Sequence, residues 1–303
     1  PVPSEAIQPD LMLVQSWYKY PDTYVPQTEK YTMTYTALQA AQTIRKLYRN
    51  PEEQTMSRRA DSPIMQDLSD PNSLITKAFS RFTLPEVPFD PDGPWTHVYQ
   101  DFSSHGTKRP QGELTIKHRP NGKLRIENHR NCTQGYRSYT FADLNCNNDV
   151  LRSPRDWTVE TKVSKTPDAP PHLNSGLVKK ASVTNNVLTM KTARNSRTVK
   201  LPGPYTCKWC LLDAVGRMAT RGIEEVSFSL LDEYDELCPE QKIRFTGDAQ
   251  VKTPDGIIDI KTYQHTGIAT VPGVFYVDTA GRVRFYLGGM QLLALTQATG
   301  GAK

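Results

Sequence analysis

One stretch near the middle of the chain constrains the fold more than any other. Glu113-Leu-Thr-Ile-Lys-His118, then Arg-Pro-Asn-Gly122, then Lys123-Leu-Arg-Ile-Glu-Asn128 alternates apolar and polar side chains on either side of a turn sequence. That is the pattern of a β-hairpin with one buried face. Chemistry also selects the register. A two-residue Asn-Gly loop sets Ile116 against Glu127 and Leu124 against Arg119, mixing the faces. A three-residue loop, with Pro120 opening a type I turn and Gly122 in the left-handed region, sets Ile116 opposite Ile126 and His118 opposite Leu124. It also gathers Lys117, Arg119, Lys123 and Arg125 on the other face. The second register is predicted, giving a sheet with one apolar face that includes His118 and one basic face.

The same grammar returns at Ala181–Met190, Ala193–Lys200, Val251–Ile260 and Phe275–Phe285, each an alternating run around turn residues. A last strand, Met290–Thr296, follows Gly288-Gly289. Two strands per hairpin predict roughly ten strands between residues 95 and 296. One helix interrupts them: after Thr206 as cap, Cys207, Leu211, Ala214, Val215 and Met218 form an apolar stripe and Gly222 ends it. The expected fold is mainly β, a large curved antiparallel sheet or open barrel over 95–303 packed on one central helix, 207–221.

Residues 1–94 follow a different pattern. Pro1, Pro3, Pro9, Pro21 and Pro26 break every period before residue 33, and a capped helix is predicted near 37–49, stopped by Asn50-Pro51. A shorter one is predicted over 73–82, with Leu74, Ala78 and Phe82 in line. Pro85, Pro88, Pro91 and Pro94 then form a linker that no helix or central strand tolerates. A helical N-terminal extension, 1–94, is therefore expected ahead of the β domain. The 23 prolines, against an expected ~5% of residues, exclude a long coiled coil, and no apolar run reaches the ~18 residues of a membrane-spanning helix.

Charge is unevenly placed. Residues 1–94 hold 9 Lys and Arg against 12 Asp and Glu, residues 95–205 hold 18 against 8, and residues 206–303 hold 10 against 12. The basic middle suits an anionic partner, or a solvated sheet face. Nucleic acid is a poor partner, because the basic segment lacks the interleaved aromatics of nucleic-acid modules. The five cysteines form no dense framework. The processed-looking start and the acceptor pattern Asn131-Cys132-Thr133 lean towards an extracytoplasmic protein.

Three constellations bear on chemistry. Cys207-Lys-Trp-Cys210 at a helix start has the redox CxxC spacing, but the β-α-β setting of redox folds is missing, so core cysteines are expected. Asp143, Asn145, Asn147 and Asp149 place oxygen side chains at alternate positions, the pattern of a loop that wraps Ca²⁺. The sharp-turn glycine and the twelfth-position glutamate are absent, which fits an Asx-rich turn equally. Acid–base chemistry has candidates in His118 or His265 as base, Tyr139 or Tyr263 as acid and Arg282 as anion holder. No histidine spacing suits zinc, and no cofactor other than Ca²⁺ is suggested.

The Trp-Cys-Leu-Leu-Asp-Ala-Val helix between two sets of strands, with the closing Val-Pro-Gly-Val-Phe-Tyr-Val-Asp-x-x-Gly-Arg hairpin, resembles bacterial exported open-barrel proteins of the periplasmic lipoprotein-carrier kind over about residues 95–300. The resemblance implies a curved sheet around a helical plug and an apolar groove. The expected function is an extracytoplasmic binding or carrier protein for an amphiphilic or anionic ligand. The ligand's tail would lie in the concave face, and its head would meet Lys117, Arg119, Lys123 and Arg125. The alternative is a polysaccharide- or ester-acting enzyme using the His and Tyr residues above.

Overall fold

Fifteen strands among the described residues join into one sheet, and most of them follow their sequence neighbours. The computed structural model describes residues 74–84, 89–103, 109–132, 135–232, 234, 236–253, 256–268, 270–288 and 291–300. The chain divides into two units, Pro1–Arg59 and Ala60–Lys303, and all described residues belong to the second. The helix expected near 37–49 lies outside the described residues. The shorter one is present as α1 (Leu74–Arg81).

The first meander runs through β1 (Trp95–Ser103), β2 (Gly112–Arg119), β3 (Lys123–Asn131), β4 (Arg137–Cys146), β5 (Pro154–Ser164), β6 (Leu177–Thr184), β7 (Val187–Lys191) and β8 (Ser196–Lys200). The second runs through β9 (Tyr205–Cys207), β10 (Glu225–Asp232), β11 (Glu236–Thr253), β12 (Gly256–Thr266), β13 (Gly273–Asp278), β14 (Val283–Gly288) and β15 (Gln291–Gly300). The two are joined where β1 pairs antiparallel with β15. β9 is parallel to β10; every other pairing is antiparallel.

Topology alone shows that the sheet is strongly curved. β8 and β9 are its two edges, yet only residues 201–204 separate them in sequence. A flat sheet would put those edges ~67 Å apart at ~4.8 Å per strand, far beyond the reach of four residues at ~3.3–3.6 Å each. The sheet therefore curls until its edges approach, and it remains unclosed because β8 and β9 do not pair.

The β2–β3 register is the predicted one: Ile116 faces Ile126, His118 faces Leu124, and Lys117 faces Arg125. The turn differs in detail, since Asn121 (φ 66°) joins Gly122 (φ 74°) in the left-handed region. Asparagine is one of the few side chains that tolerates it. Strands outnumber the expected ten because β1, β4, β5, β9 and β10 carry no hairpin signal. The segment 193–200 supplies a single strand, not a hairpin.

Inward-facing residues from both meanders, including Trp95, Ile116, Ile126, Leu144, Trp157, Leu188, Phe228, Ile243, Phe275 and Leu295, form one continuous buried cluster. Leu211, Leu212, Val215 and Met218 of α2 (Leu211–Arg221) belong to it. The helix begins later than expected. Cys207 ends β9, residues Lys208–Cys210 form a 3-10 turn, and the Thr206 hydroxyl donates to Leu151 O (2.7 Å) instead of capping. Its end is as predicted: Gly222 (φ 66°) is left-handed and its N–H bonds Met218 O. A second core lies on the opposite face of part of the sheet. Ile75, Ala78 and Phe79 of α1 are buried there with Phe102, Val251, Ile260, Tyr276, Phe285 and Leu292.

Candidate functional site

His118 lies at the centre of a buried polar network. Its Nδ1 is 2.6 Å from Gly93 O and its Nε2 is 2.8 Å from Arg152 Nη2. A guanidinium has only donors, so Nε2 accepts and the proton resides on Nδ1, donated to the carbonyl. Burial lowers the His118 pKa, outweighing the pull of Asp213. Arg152 also bonds Asp213 Oδ2 through Nε (3.0 Å) and Asn148 Oδ1 through Nη1 (3.1 Å). Arg217, one turn along α2, bonds the other Asp213 oxygen (3.1 Å) and Asp92 Oδ1 (2.5 Å). Pro91 O accepts from Arg217 Nη2.

Asp213, Arg217 and Arg152 are each at most 5% exposed, so these bonds are what makes their burial tolerable. Arg152 adopts φ 52°, a conformation that a non-glycine side chain keeps only where its surroundings hold it. The network ties α2, β2, the 91–93 turn and the turn after β4 into one clasp. Both ring nitrogens of His118 are used in it, which leaves no lone pair aimed at a substrate.

The other acid–base candidates do not converge on His118. His265 and Tyr263 face inward on β12, five strand steps from β2 along the sheet, about 24 Å at ~4.8 Å each. His265 Nε2 donates to Gln241 Oε1 (3.0 Å). The amide's orientation is fixed because its nitrogen donates to Pro239 O and Ile268 O. Burial lowers the His265 pKa to about 4 and raises that of Tyr263 to about 12, so both are neutral at ordinary pH. Arg282 is held by Asp278 (2.9 Å), which pairs opposite Ile260, whereas His265 pairs opposite Gly273. Five residues of strand, ~17 Å, lie between those positions. Tyr139 is on the outer face of β4, in register with His129 and ring-stacked on Phe141. The expected catalytic set is thus spread over both faces of the sheet.

The oxygen-rich segment is not one loop. Asp143 and Asn145 alternate because they lie on β4, facing outward: Asp143 is ion-paired with Arg125 and Asn145 donates to Asp156 Oδ1 (2.5 Å). Asp149 accepts from Ser153 N–H (3.0 Å) and Asn147 N–H bonds Ser153 O (2.9 Å), so the carboxylate closes the turn between β4 and β5. Among the described residues, no group of three or more His, Cys, Asp or Glu stands close enough to hold a metal ion.

The expected ligand-binding cations face away from the apolar interior, as the period of two requires. Lys117 and Arg125 both pair with Glu127 (2.9 and 3.3 Å), while Arg119 and Lys123 are exposed. A stronger cationic surface lies farther along the sheet. On the outer face of β6–β8, Lys180 stands directly opposite Lys191, and Val187 opposite Lys200. Like charges at opposed positions repel, and there is no Asp or Glu between Asp168 and Asp213. The nearest outward acids, Asp156 and Glu160 on β5, are engaged by Asn145 and Lys162. Val178 and Val187, 47% and 38% exposed, share this face, and Leu173 in the turn entering β6 is 85% exposed. The acid-free stretch was legible in sequence; the face it occupies was not. Arg152 gave no sequence signal, and Arg217 gave only its i, i+4 spacing from Asp213.

No family model matches the chain, and no curated protein matches it. The lipoprotein-carrier resemblance therefore rests on strand order and hairpin residues alone. Among solved structures the chain is similar to a β-barrel-like protein of a domain of unknown function, DUF1849, from Brucella abortus. The identity is 11%, the TM-score 0.45, and the match covers 68% of this chain and 97% of that one.

Proposed function

We propose that the protein is a non-enzymatic, extracytoplasmic binding protein that meets an anionic amphiphilic surface, a bilayer carrying acidic headgroups, through the outer face of β6–β8. The observation that carries this reading is the Lys180–Lys191 pair, with Lys200, Val178 and Val187 around it, on a ribbon that contains no carboxylate. Each lysine near an acidic bilayer contributes on the order of 1 kcal/mol, and the exposed aliphatics add burial that a purely ionic contact lacks. Cations along an edge strand also discourage edge pairing. That role accounts for Lys200 on β8 but not for two opposed lysines on the inner strands of the ribbon.

This reading moves the ligand from the concave face, where the sequence pattern put it, to the outer face of β6–β8. In support, the buried cluster inside the sheet includes residues of α2 together with residues of both meanders. The enzyme reading has little support, since its residues lie apart and His118 is committed to the clasp. Co-sedimentation with phosphatidylglycerol–phosphatidylcholine vesicles tests the proposal. Binding should grow with phosphatidylglycerol content, fall as salt rises, and drop about tenfold or more in Lys180→Ser/Lys191→Ser. Equal binding to pure phosphatidylcholine, or none to either, would overturn it.

A further inference from the structure

Three of the five cysteines meet at one point inside the sheet. Cys146 is the last residue of β4, Cys207 the last of β9, and Cys210 stands at the entry to α2. All three are at most 3% exposed. Three bonds bring their elements together: Ser153 Oγ donates to Tyr205 O (2.8 Å), Tyr205 Oη to Pro154 O (2.7 Å) and Thr206 Oγ1 to Leu151 O (2.7 Å). Because Pro154 is the strand partner of Cys146, the same bonds bring Cys146 to the 207–210 turn. Cys210 is in side-chain hydrogen-bonding contact with Cys146 and also with Cys207. Most buried cysteines behave as small apolar side chains. One sulfur in contact with two others, drawn from β4 and β9, is more than apolar packing requires.

We propose that Cys146 and Cys210 are a disulfide-forming pair. The side chain of Cys146, and the side chain and backbone of Cys207, donate to the Cys210 sulfur and hold its pKa below the usual thiol range, while Cys146 is pushed up. The oxidant is a disulfide of the glutathione class. The thiolate of one of the two cysteines attacks one glutathione sulfur and expels a glutathione thiolate. The other cysteine then attacks that cysteine's sulfur as its own proton leaves, and the second glutathione departs as a thiolate. Two cysteine thiols become one disulfide, and one glutathione disulfide becomes two thiols that take up the protons. Reaction occurs while the chain folds or during local opening, since the folded site is closed to solvent. Cys146 is chosen over Cys207 because the bridge then joins β4 to the helix entry across a ~65-residue loop, where the constraint on the unfolded chain is large.

The test refolds the full chain in mixed oxidised and reduced glutathione, quenches it with acid and alkylating agent, and maps the bridges by digestion and mass spectrometry. The expected result is a linked peptide pair containing Cys146 and Cys210. It should persist in Cys207→Ala, be lost in Cys146→Ala, and be accompanied by a fall in Tm of roughly 10 °C when the wild type is reduced. Dithiols throughout, or a dominant bridge through Cys207 or Cys132, would overturn the proposal. The wild-type map decides the matter even if the variants fail to fold.

Discussion

The first meander and the second are built from the same antiparallel strands, but they solve different burial problems. In β2 every second residue is buried and the residues between are partly exposed, because only the inner face of that strand packs on a core. In β13 all six residues are buried: Phe275 and Val277 face the inner cluster, while Val274 and Tyr276 face the one under α1. A one-sided sheet half leaves an outer face free to meet a partner. A strand covered on both faces, as β13 is, has none to offer, and among the exposed strands the functional proposal falls on β6–β8 because that ribbon joins lysines and exposed valines without a carboxylate.

The largest effect is expected at the clasp that the two halves share. Asp213→Ala leaves Arg152 and Arg217 buried without their common carboxylate and should cost about 3–5 kcal/mol of stability, read from the urea midpoint. Next comes a direct contrast between halves. Phe79→Ala, which removes a fully buried ring packed 4.3 Å from Phe285, should cost about 3–4 kcal/mol. Phe141→Ala, on the outer face of the one-sided half, should cost under about 1 kcal/mol. Equal losses would remove the distinction.

Acid should weaken the inner face common to both halves. His97 is lowered to about 3 by burial and then by Arg282, and His265 to about 4 by burial and then by Lys208. Their folded pKa values lie below the unfolded one of about 6.5, so the unfolded chain binds more protons below that pH. Stability is then full above about pH 6.5 and falls below it by about 1.4 kcal/mol per pH unit for each histidine, as far as its folded pKa. Asp101 works in the opposite sense, its pKa being raised by burial. A urea midpoint that stays flat from pH 7 to 5 would contradict this. The smallest effect is expected at Lys117→Ala, which loses a half-exposed pair with Glu127 and should shift stability by less than about 1 kcal/mol.

The contrast between halves also explains what the sequence disclosed. The β2–β3 hairpin was legible down to its register because a one-sided sheet writes its pattern with a period of two. β4 was not, because Tyr139 and Phe141 are apolar on the outer face while Ala142, Leu144 and Cys146 are apolar on the inner. Its outward Asp143 and Asn145 then imitate a loop. β11 hides a bulge at Pro239 and Glu240, the latter with φ 55°, where the missing N–H does no harm. On α2 the apolar stripe was legible, but it left out Asp213 and Arg217, which are buried on another face. Only the partners that fold back from Asp92 and Arg152, far away in sequence, allow that face to be buried. The candidate cations were visible as composition; which of them lack carboxylate partners depends on strand pairing.

The central claim is that the free outer face of β6–β8 does the binding while the two-sided half takes no part. Hydrogen–deuterium exchange with and without phosphatidylglycerol vesicles tests it most directly. The account predicts slowed exchange over residues 177–200, with 251–300 unchanged. Protection in β11–β15, or a uniform response along the chain, would contradict it.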